Sequence, residues 1–377
     1  MSDLHLVSEN DELSNRNGSA ILGVAKELQK AAWLVGRESW IGGGYGKLVD
    51  LDGVTEIIKP QPIPRIAKSA VERMSALSKF AFGLSLTSGR IPDPKALEVE
   101  NVYCHNQPWL LSQARKAFPS ARIHLYVHNE ILRGAPSKVI RKVLRGFDSV
   151  ISVSNYISTE LQSRAKFVHG GPLTPIFRTI YNGVDAKRFM VTPTADTVDV
   201  VYVGRVVPDK GMHILAAAMA ELARTRRCSL RIVGGATFLP GQELTPYEST
   251  IFDTLNVSGL DFVRTGPVAP ASIPGLINSS RLLVVPSVWN DPCPLTFLEG
   301  LASTACVVAS NVGGMPEVGH HAGAIFVEAN DPSALADVLN QLLSDPDLER
   351  SVAQAGRAWA EKRSWSAVYE ELCVAVC

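Results

Sequence analysis

Two short apolar runs, Val198-Asp-Val-Val-Tyr-Val203 and Arg281-Leu-Leu-Val-Val-Pro286, each pass through a turn into a segment with helical apolar spacing. Runs this short, β-branched and bounded by Gly or Pro fit buried parallel strands better than helices. The rhythm recurs at Leu4–Val7, Val99–Cys104, Arg122–Val127, Ser149–Ser154, Arg231–Gly235 and Asp261–Gly266. Strands alternating with helices predict βαβ units, hence an α/β chain of doubly wound parallel sheets. At 377 residues the chain exceeds one ordinary core, which predicts two domains. Met190 to Thr197, with Pro193 and no apolar period, is the expected linker. The domains are therefore drawn at 1–190 and 198–360, with 361–377 as a terminal helix.

Charge excludes some partners. The formal net charge is +0 and the charged share 20%, so no general nucleic-acid binder is expected. Six cysteines show no paired spacing for zinc or disulfides and read as reduced cytosolic thiols. The acidic opening MSDLHLVSENDELS has no apolar core, so it is not read as a signal peptide. No apolar run is long enough to span a bilayer.

In the first domain, Asn15–Ser19 turns into the helical pattern Ala20–Gln29, and Ala32–Val35 is the expected second strand. Residues 40–60 give no clear reading; Asp50-Leu-Asp52 is taken as a surface turn. Pro64–Phe82 reads as a basic amphipathic helix. Two later strands each end in His-Asn: His105-Asn106 and His128-Asn129. Ligands of open α/β sheets bind outside the carboxyl ends of strands, so both histidines and Asn129 are site candidates. Arg133–Arg145 then carries five cations and no acid. Lys138, Arg141, Lys142 and Arg145 are either a solvated helix face or a patch for anionic lipid headgroups.

The second domain holds the sharper signals. Gly204-Arg205 and Lys210-Gly211 flank a strand-to-helix turn, where Arg as a planar fork and Lys as a point charge can bracket a diphosphate. In Ser287–Glu299, Pro292 and Pro294 precede a helix whose first amides, on Leu295 and Thr296, suit a phosphate. Asp291 lies before those amides and Glu299 beyond them. Carboxylate, anion hole and second carboxylate match the sugar, diphosphate and ribose of a nucleotide sugar.

An acidic residue, seven residues, Glu299, then Val307–Ser310 and Gly313-Gly-Met-Pro-Glu317, resembles the signature of the family 4 retaining glycosyltransferases. Asp291 stands where that signature has Glu, and Thr304 and Cys306 replace the usual Gly and Pro. The resemblance implies a GT-B fold, two Rossmann-like domains facing a cleft with the 361–377 helix crossing back to the first, and transfer of a sugar from a nucleoside diphosphate with retention and without metal or cofactor. It places Gly18 over the donor phosphate, Glu299 on the ribose, Asp291 on donor-sugar hydroxyls, and His128 beside the acceptor or the 6-position of the sugar. It also assigns the 133–145 cations to membrane contact on the inner face of the plasma membrane. Trp289-Asn-Asp-Pro-Cys-Pro294 and Gly234-Gly235 look like enzymes of lipopolysaccharide or other envelope glycans, with UDP-hexose or UDP-N-acetylhexosamine as donor. A GDP-mannose donor for an exopolysaccharide is the alternative. Two other classes stay open: a nucleotide-sugar 2-epimerase, and a catalytically silent nucleotide-binding relative.

Overall fold

The computed structural model describes residues 2–7, 20–43, 47–50, 53–57, 98–167, 175–193, 196–237 and 241–376. By packing it divides into two units, Met1–Tyr181 with Val368–Cys377, and Asn182–Ala367. The division falls earlier than the 190–197 stretch. Asn182 Nδ2 donates to the Cys293 carbonyl (3.2 Å), Val184 N to that of Arg363, and Asn278 Nδ2 to those of Phe189 and Val191. Residues 182–191 are thus bonded into the second unit.

The first unit is built on strands β1 (Ser2–Leu6), β2 (Glu38–Gly43), β3 (Lys47–Asp50), β4 (Gly53–Ile57), β5 (Asn101–His105), β6 (Arg122–Val127), β7 (Ser149–Ser152) and β8 (Ile176–Thr179). They form one sheet in the order β4-β3-β2-β1-β5-β6-β7-β8. All neighbours are parallel except β2–β3 and β3–β4, so the 40–60 region adds an antiparallel edge to the expected parallel sheet. The strand expected at Ala32–Val35 is instead the end of helix Ala20–Leu34. Leu28, Ala31 and Ala32 continue its buried stripe, and Gly36, at φ 74°, closes it. Gly18 and Pro64–Phe82 lie outside the described residues.

A parallel sheet covered on both sides usually reads as continuous apolar strands. Here β1, β5 and β6 alternate. Leu4, Leu6, Val102, Cys104, Ile123, Leu125 and Val127 enter the apolar core. The intervening Asp3, His5, Tyr103, His105, His124 and Tyr126 fill the other face with polar and aromatic rings, all buried.

The second unit has strands β9 (Val198–Val203), β10 (Ser229–Val233), β11 (Asp261–Gly266), β12 (Ser280–Val285), β13 (Cys306–Ser310) and β14 (Ile325–Val327). Their order is β11-β10-β9-β12-β13-β14, all parallel. Winding runs outward from β9 to β11, then restarts at β12 on the other side of β9. That reversal leaves a crevice at the carboxyl ends of β9 and β12. Helix Pro246–Ser258 starts at a capping box: Glu248 N donates to Thr245 Oγ1, and Thr245 N donates to Glu248 Oε2.

Candidate functional sites

The β9–β12 crevice is assembled by close backbone contacts that only glycine permits. Gly211 follows the Lys210 turn with φ 69°, and a Cβ there would lie 1.8 Å from the Pro286 carbonyl oxygen. Asp209 O accepts from Val288 N (3.0 Å), locking this turn to the segment after β12. Gly313, at φ 62°, presses on Asp291 in the same way, and Gly314 N donates to Asp291 O (2.9 Å). Gly234 approaches Gly204 so closely that a Cβ would meet the Gly204 carbonyl oxygen at 2.1 Å. The two motifs that the sequence presents some 80 residues apart are one packed cluster.

Within it Lys210 Nζ donates to Asp291 Oδ2 and lies 5.5 Å from the centroid of Trp289. Asp291 is buried and Lys210 half-buried. Arg205 is exposed; its carbonyl accepts from the Tyr202 hydroxyl (2.6 Å), and its guanidinium has no ion-pair or hydrogen-bond partner among the described residues. The Leu295 and Thr296 amides, at the start of helix Leu295–Leu301, also have no acceptor among the described residues. Glu299 has no hydrogen-bond partner among them either; burial pushes its carboxyl above the ordinary range, partly offset by Arg188. Trp289 Nε1 and Ser287 Oγ are buried without a partner among the described residues, an unusual state for polar atoms beside an open crevice. Trp289 was not singled out as a site residue from the sequence; its place beside the Lys210 ammonium is visible only once the loops are packed.

The cavity of about 1020 Å³ in this unit is elsewhere, near the amino ends of β12 and β13, among residues such as Arg281, Thr304 and Arg357. Arg281 there already pairs with Glu349, and Arg357 with Glu361. Unpaired charge, rather than volume, distinguishes the crevice.

In the first unit the sheet reverses between β1 and β5, and there three histidines form a chain. His5 Nδ1 lies 2.9 Å from His105 Nε2, and His105 Nδ1 lies 2.8 Å from His128 Nε2. Tyr126 stacks on both His105 and His128, at 5.0 and 4.7 Å between centroids. His128 N is held by Asn106 Oδ1 at 2.8 Å. His105, expected to meet a ligand directly, is 0% exposed with both ring nitrogens engaged, so it has no atom to offer one. His128 is 7% exposed, and its Nδ1 has no partner among the described residues; Asn129 is exposed. Burial lowers the His5 pKa to about 4 and that of His128 to about 3, and holds His105 well below its ordinary value. The rings bond to one another and do not converge, and no metal-holding group of three or more ligands occurs among the described residues.

The 133–145 cations divide. In helix Ser137–Leu144 the apolar residues Ile140, Val143 and Leu144 belong to the core, so they are not free to enter a bilayer. Arg141 donates to the Ala165 carbonyl (2.7 Å), and Arg145 lies over Phe167. Lys138 and Lys142 are exposed.

A doubly wound sheet with glycine-shaped loops at its reversal point has the crevice at which open α/β sheets bind their ligands. Residues 197–345 match the model of the family described as "Glycosyl transferases group 1". Over 295 residues the chain is 27% identical to spore coat protein SA of Bacillus subtilis, covering 72% of this chain and 76% of that one. Over 280 residues it is 23% identical to the lipopolysaccharide 1,2-N-acetylglucosaminetransferase of Salmonella typhimurium, covering 71% and 70%. Among solved structures, Anabaena HepE in complex with UDP superposes with a TM-score of 0.69 at 19% identity, covering 99% of each chain. Residues 197–345 thus carry a group 1 glycosyltransferase domain, the chain has the GT-B fold, and these likenesses support glycosyl transfer from a nucleotide-sugar donor.

Proposed function

We propose that this glycosyltransferase moves a hexose or N-acetylhexosamine from a UDP-sugar to a lipopolysaccharide or other envelope-glycan acceptor, with retention and without a metal. The observation that carries the reading is the glycine-fixed turn after β9, which bears both Lys210 and an exposed Arg205 whose guanidinium has no partner among the described residues. Two cations borne on one turn meet the charge that develops on a departing diphosphate, and such electrostatic stabilisation is the largest single source of catalysis in many enzymes. They supply the role a divalent ion plays elsewhere. Arg205 forks onto one phosphate and Lys210 turns to the other, with the Leu295 and Thr296 amides beside them. Glu299 accepts from the ribose diol, and Asp291 is the residue nearest the donor sugar. The names of the Salmonella transferase and of the UDP complex support the donor and acceptor classes.

His128 and Asn129 are assigned to the sugar and acceptor side, with His105 acting through His128. Lys138, Lys142 and Arg145 would hold a cytoplasmic enzyme peripherally to the inner face of the membrane by charge alone, at ~1 kcal/mol per cation near an anionic surface. No helix among the described residues is long and apolar enough to cross a membrane.

Thermal shift with UDP, GDP, ADP and CMP in EDTA tests the donor side, because a ligand of the native state raises Tm by mass action. A selective rise with UDP is expected. A rise with GDP alone would move the donor to GDP-mannose, and a flat panel would overturn donor binding. Retention is read from the anomer of the product.

A further inference from the structure

We infer that the His5–His105–His128 chain is a tautomer lock: His5 and His105 hold His128 with its proton on Nδ1, so that His128 gives a hydrogen bond to a ligand oxygen and does not act as a base. The inference rests on the proposed function only for the identity of that oxygen, which belongs to a sugar.

The argument is one of counting. A neutral imidazole carries one N–H and one bare nitrogen. Each of the two contacts, at 2.9 and 2.8 Å, needs an N–H on one side and a lone pair on the other. Only two arrangements of the three rings satisfy both. In the outward arrangement His5 Nδ1 donates to His105 Nε2, His105 Nδ1 donates to His128 Nε2, and His128 keeps its proton on Nδ1. In the inward arrangement every proton is shifted to the other nitrogen, and His5 carries N–H on Nε2.

The buried end decides between them. Among the described residues His5 Nε2 is buried without a partner, and His5 is 0% exposed. The inward arrangement strands an N–H there; the outward one strands only a lone pair. Orphaned buried N–H groups are the rarer of the two in folded proteins. At the other end, His128 is the only ring of the three with any exposure, so an N–H on its Nδ1 can meet water or ligand.

The rings are held in place for this. His5 stacks on Tyr103 at 4.9 Å, and His105 and His128 lie within 11° of parallel. All three are neutral at physiological pH, because burial disfavours the imidazolium. Asp3, on the same face of β1, pulls the other way on His5 but is itself bonded by Asn101 Nδ2 and the Tyr369 hydroxyl. No carboxylate touches the chain among the described residues. The arrangement therefore lacks the buried acid that backs a histidine base and stabilises its charged form.

The test uses the full chain with ¹⁵N-labelled histidine. Imidazole nitrogen–proton correlations, recorded between about pH 5.5 and 8, separate protonated from bare nitrogens across the range where an ordinary histidine titrates. Nδ1 of His128 is expected to be protonated and Nε2 bare, with no titration. A protonated Nε2, or a titration near the ordinary value, overturns the lock. His5→Glu places a carboxylate acceptor at the buried end and should invert both remaining rings, moving the His128 proton to Nε2 and giving kcat a new acidic limb. An unchanged His128 tautomer in a folded His5→Glu protein overturns the coupling. Should His5→Glu not fold, His105→Phe keeps the ring stack and cuts the chain; both tautomers of His128 should then be seen, and a single one overturns the lock. A chain that shows the lock but transfers no sugar sinks the proposed function and leaves the inference standing.

Discussion

Each sheet reverses its winding beside its first strand, and the two reversal points are furnished in opposite ways. At β9–β12 the backbone is pressed together by glycines, and the side chains left over are charged: Arg205, Lys210, Asp291 and Glu299. At β1–β5 the side chains are neutral rings that bond to each other and stack on Tyr103 and Tyr126. The first point suits an anion, because a fixed cation is worth most where water is thin. The second suits a neutral polar ligand, because burial removes charge from titratable groups. One fold thus separates the holding of charge from the orienting of hydroxyls.

The sharpest way to break this contrast is at Lys210. Lys210→Ala should lower kcat about 10²- to 10³-fold, the range for losing one preorganised charge partner. An unchanged kcat in a direct transfer assay would remove the diphosphate from the crevice. Gly211→Ala comes next. Its Cβ would strike the Pro286 carbonyl at a left-handed φ, so chemical denaturation should show the second unit destabilised by more than about 1 kcal/mol. A neutral result there would mean that the turn is not fixed by this contact.

Acid should separate the two units. His5, His124 and His128, with folded pKa near 4, 4 and 3, and His105, also lowered, bind protons less readily folded than unfolded. Their contribution is therefore complete above about pH 6.5 and is lost as pH falls from there toward 4 and 3. Hydrogen-exchange protection factors, corrected for the intrinsic pH dependence of exchange, should fall in β5 and β6 between pH 6.5 and 4.5 more steeply than in β12 and β13. Equal slopes would refute the neutral-ring account of the first point. The smallest effects concern side chains that keep their chemistry. Asp291→Glu should change kcat by less than about tenfold, since the carboxylate stays within reach of Lys210. Lys138→Glu with Lys142→Glu should release the protein from anionic liposomes while leaving transfer to a soluble acceptor unaltered, as sedimentation and assay together would show.

The β9–β12 point was legible in sequence because glycine and charge are local signals: Gly204-Arg205, Lys210-Gly211 and the Asp291–Glu299 spacing mark their turns without help from the fold. The β1–β5 point was legible only at its rim. His105 and His128 each end a strand and could be read, but His5 sits inside β1, and nothing local says that it backs a residue 100 positions away. The alternation of Asp3, His5, Tyr103 and His124 with apolar residues was the available clue to a polar sheet face. Ala32–Val35 shows the reverse: the apolar run Trp33-Leu-Val35 reads as a strand, but the buried stripe of Leu28 and Ala32 carries the helix on to Leu34, and Gly36 closes it. The division between units was drawn late because the linker's composition was visible and the bonds of Asn182 and Asn278 were not.

The pairing of Lys210 with Asp291 gives the empty enzyme a resident competitor for its own cation. A tethered carboxylate acts at an effective concentration in the millimolar range or above, so a loose phosphate gains little by displacing it. A diphosphate that also engages Arg205 gains more. The same carboxylate is at hand when the sugar has left, ready to reclaim the ammonium from the nucleotide that remains. On the proposed reading Asp291 competes with the nucleotide for Lys210, and a glutamate in its place, one methylene longer, would alter that competition.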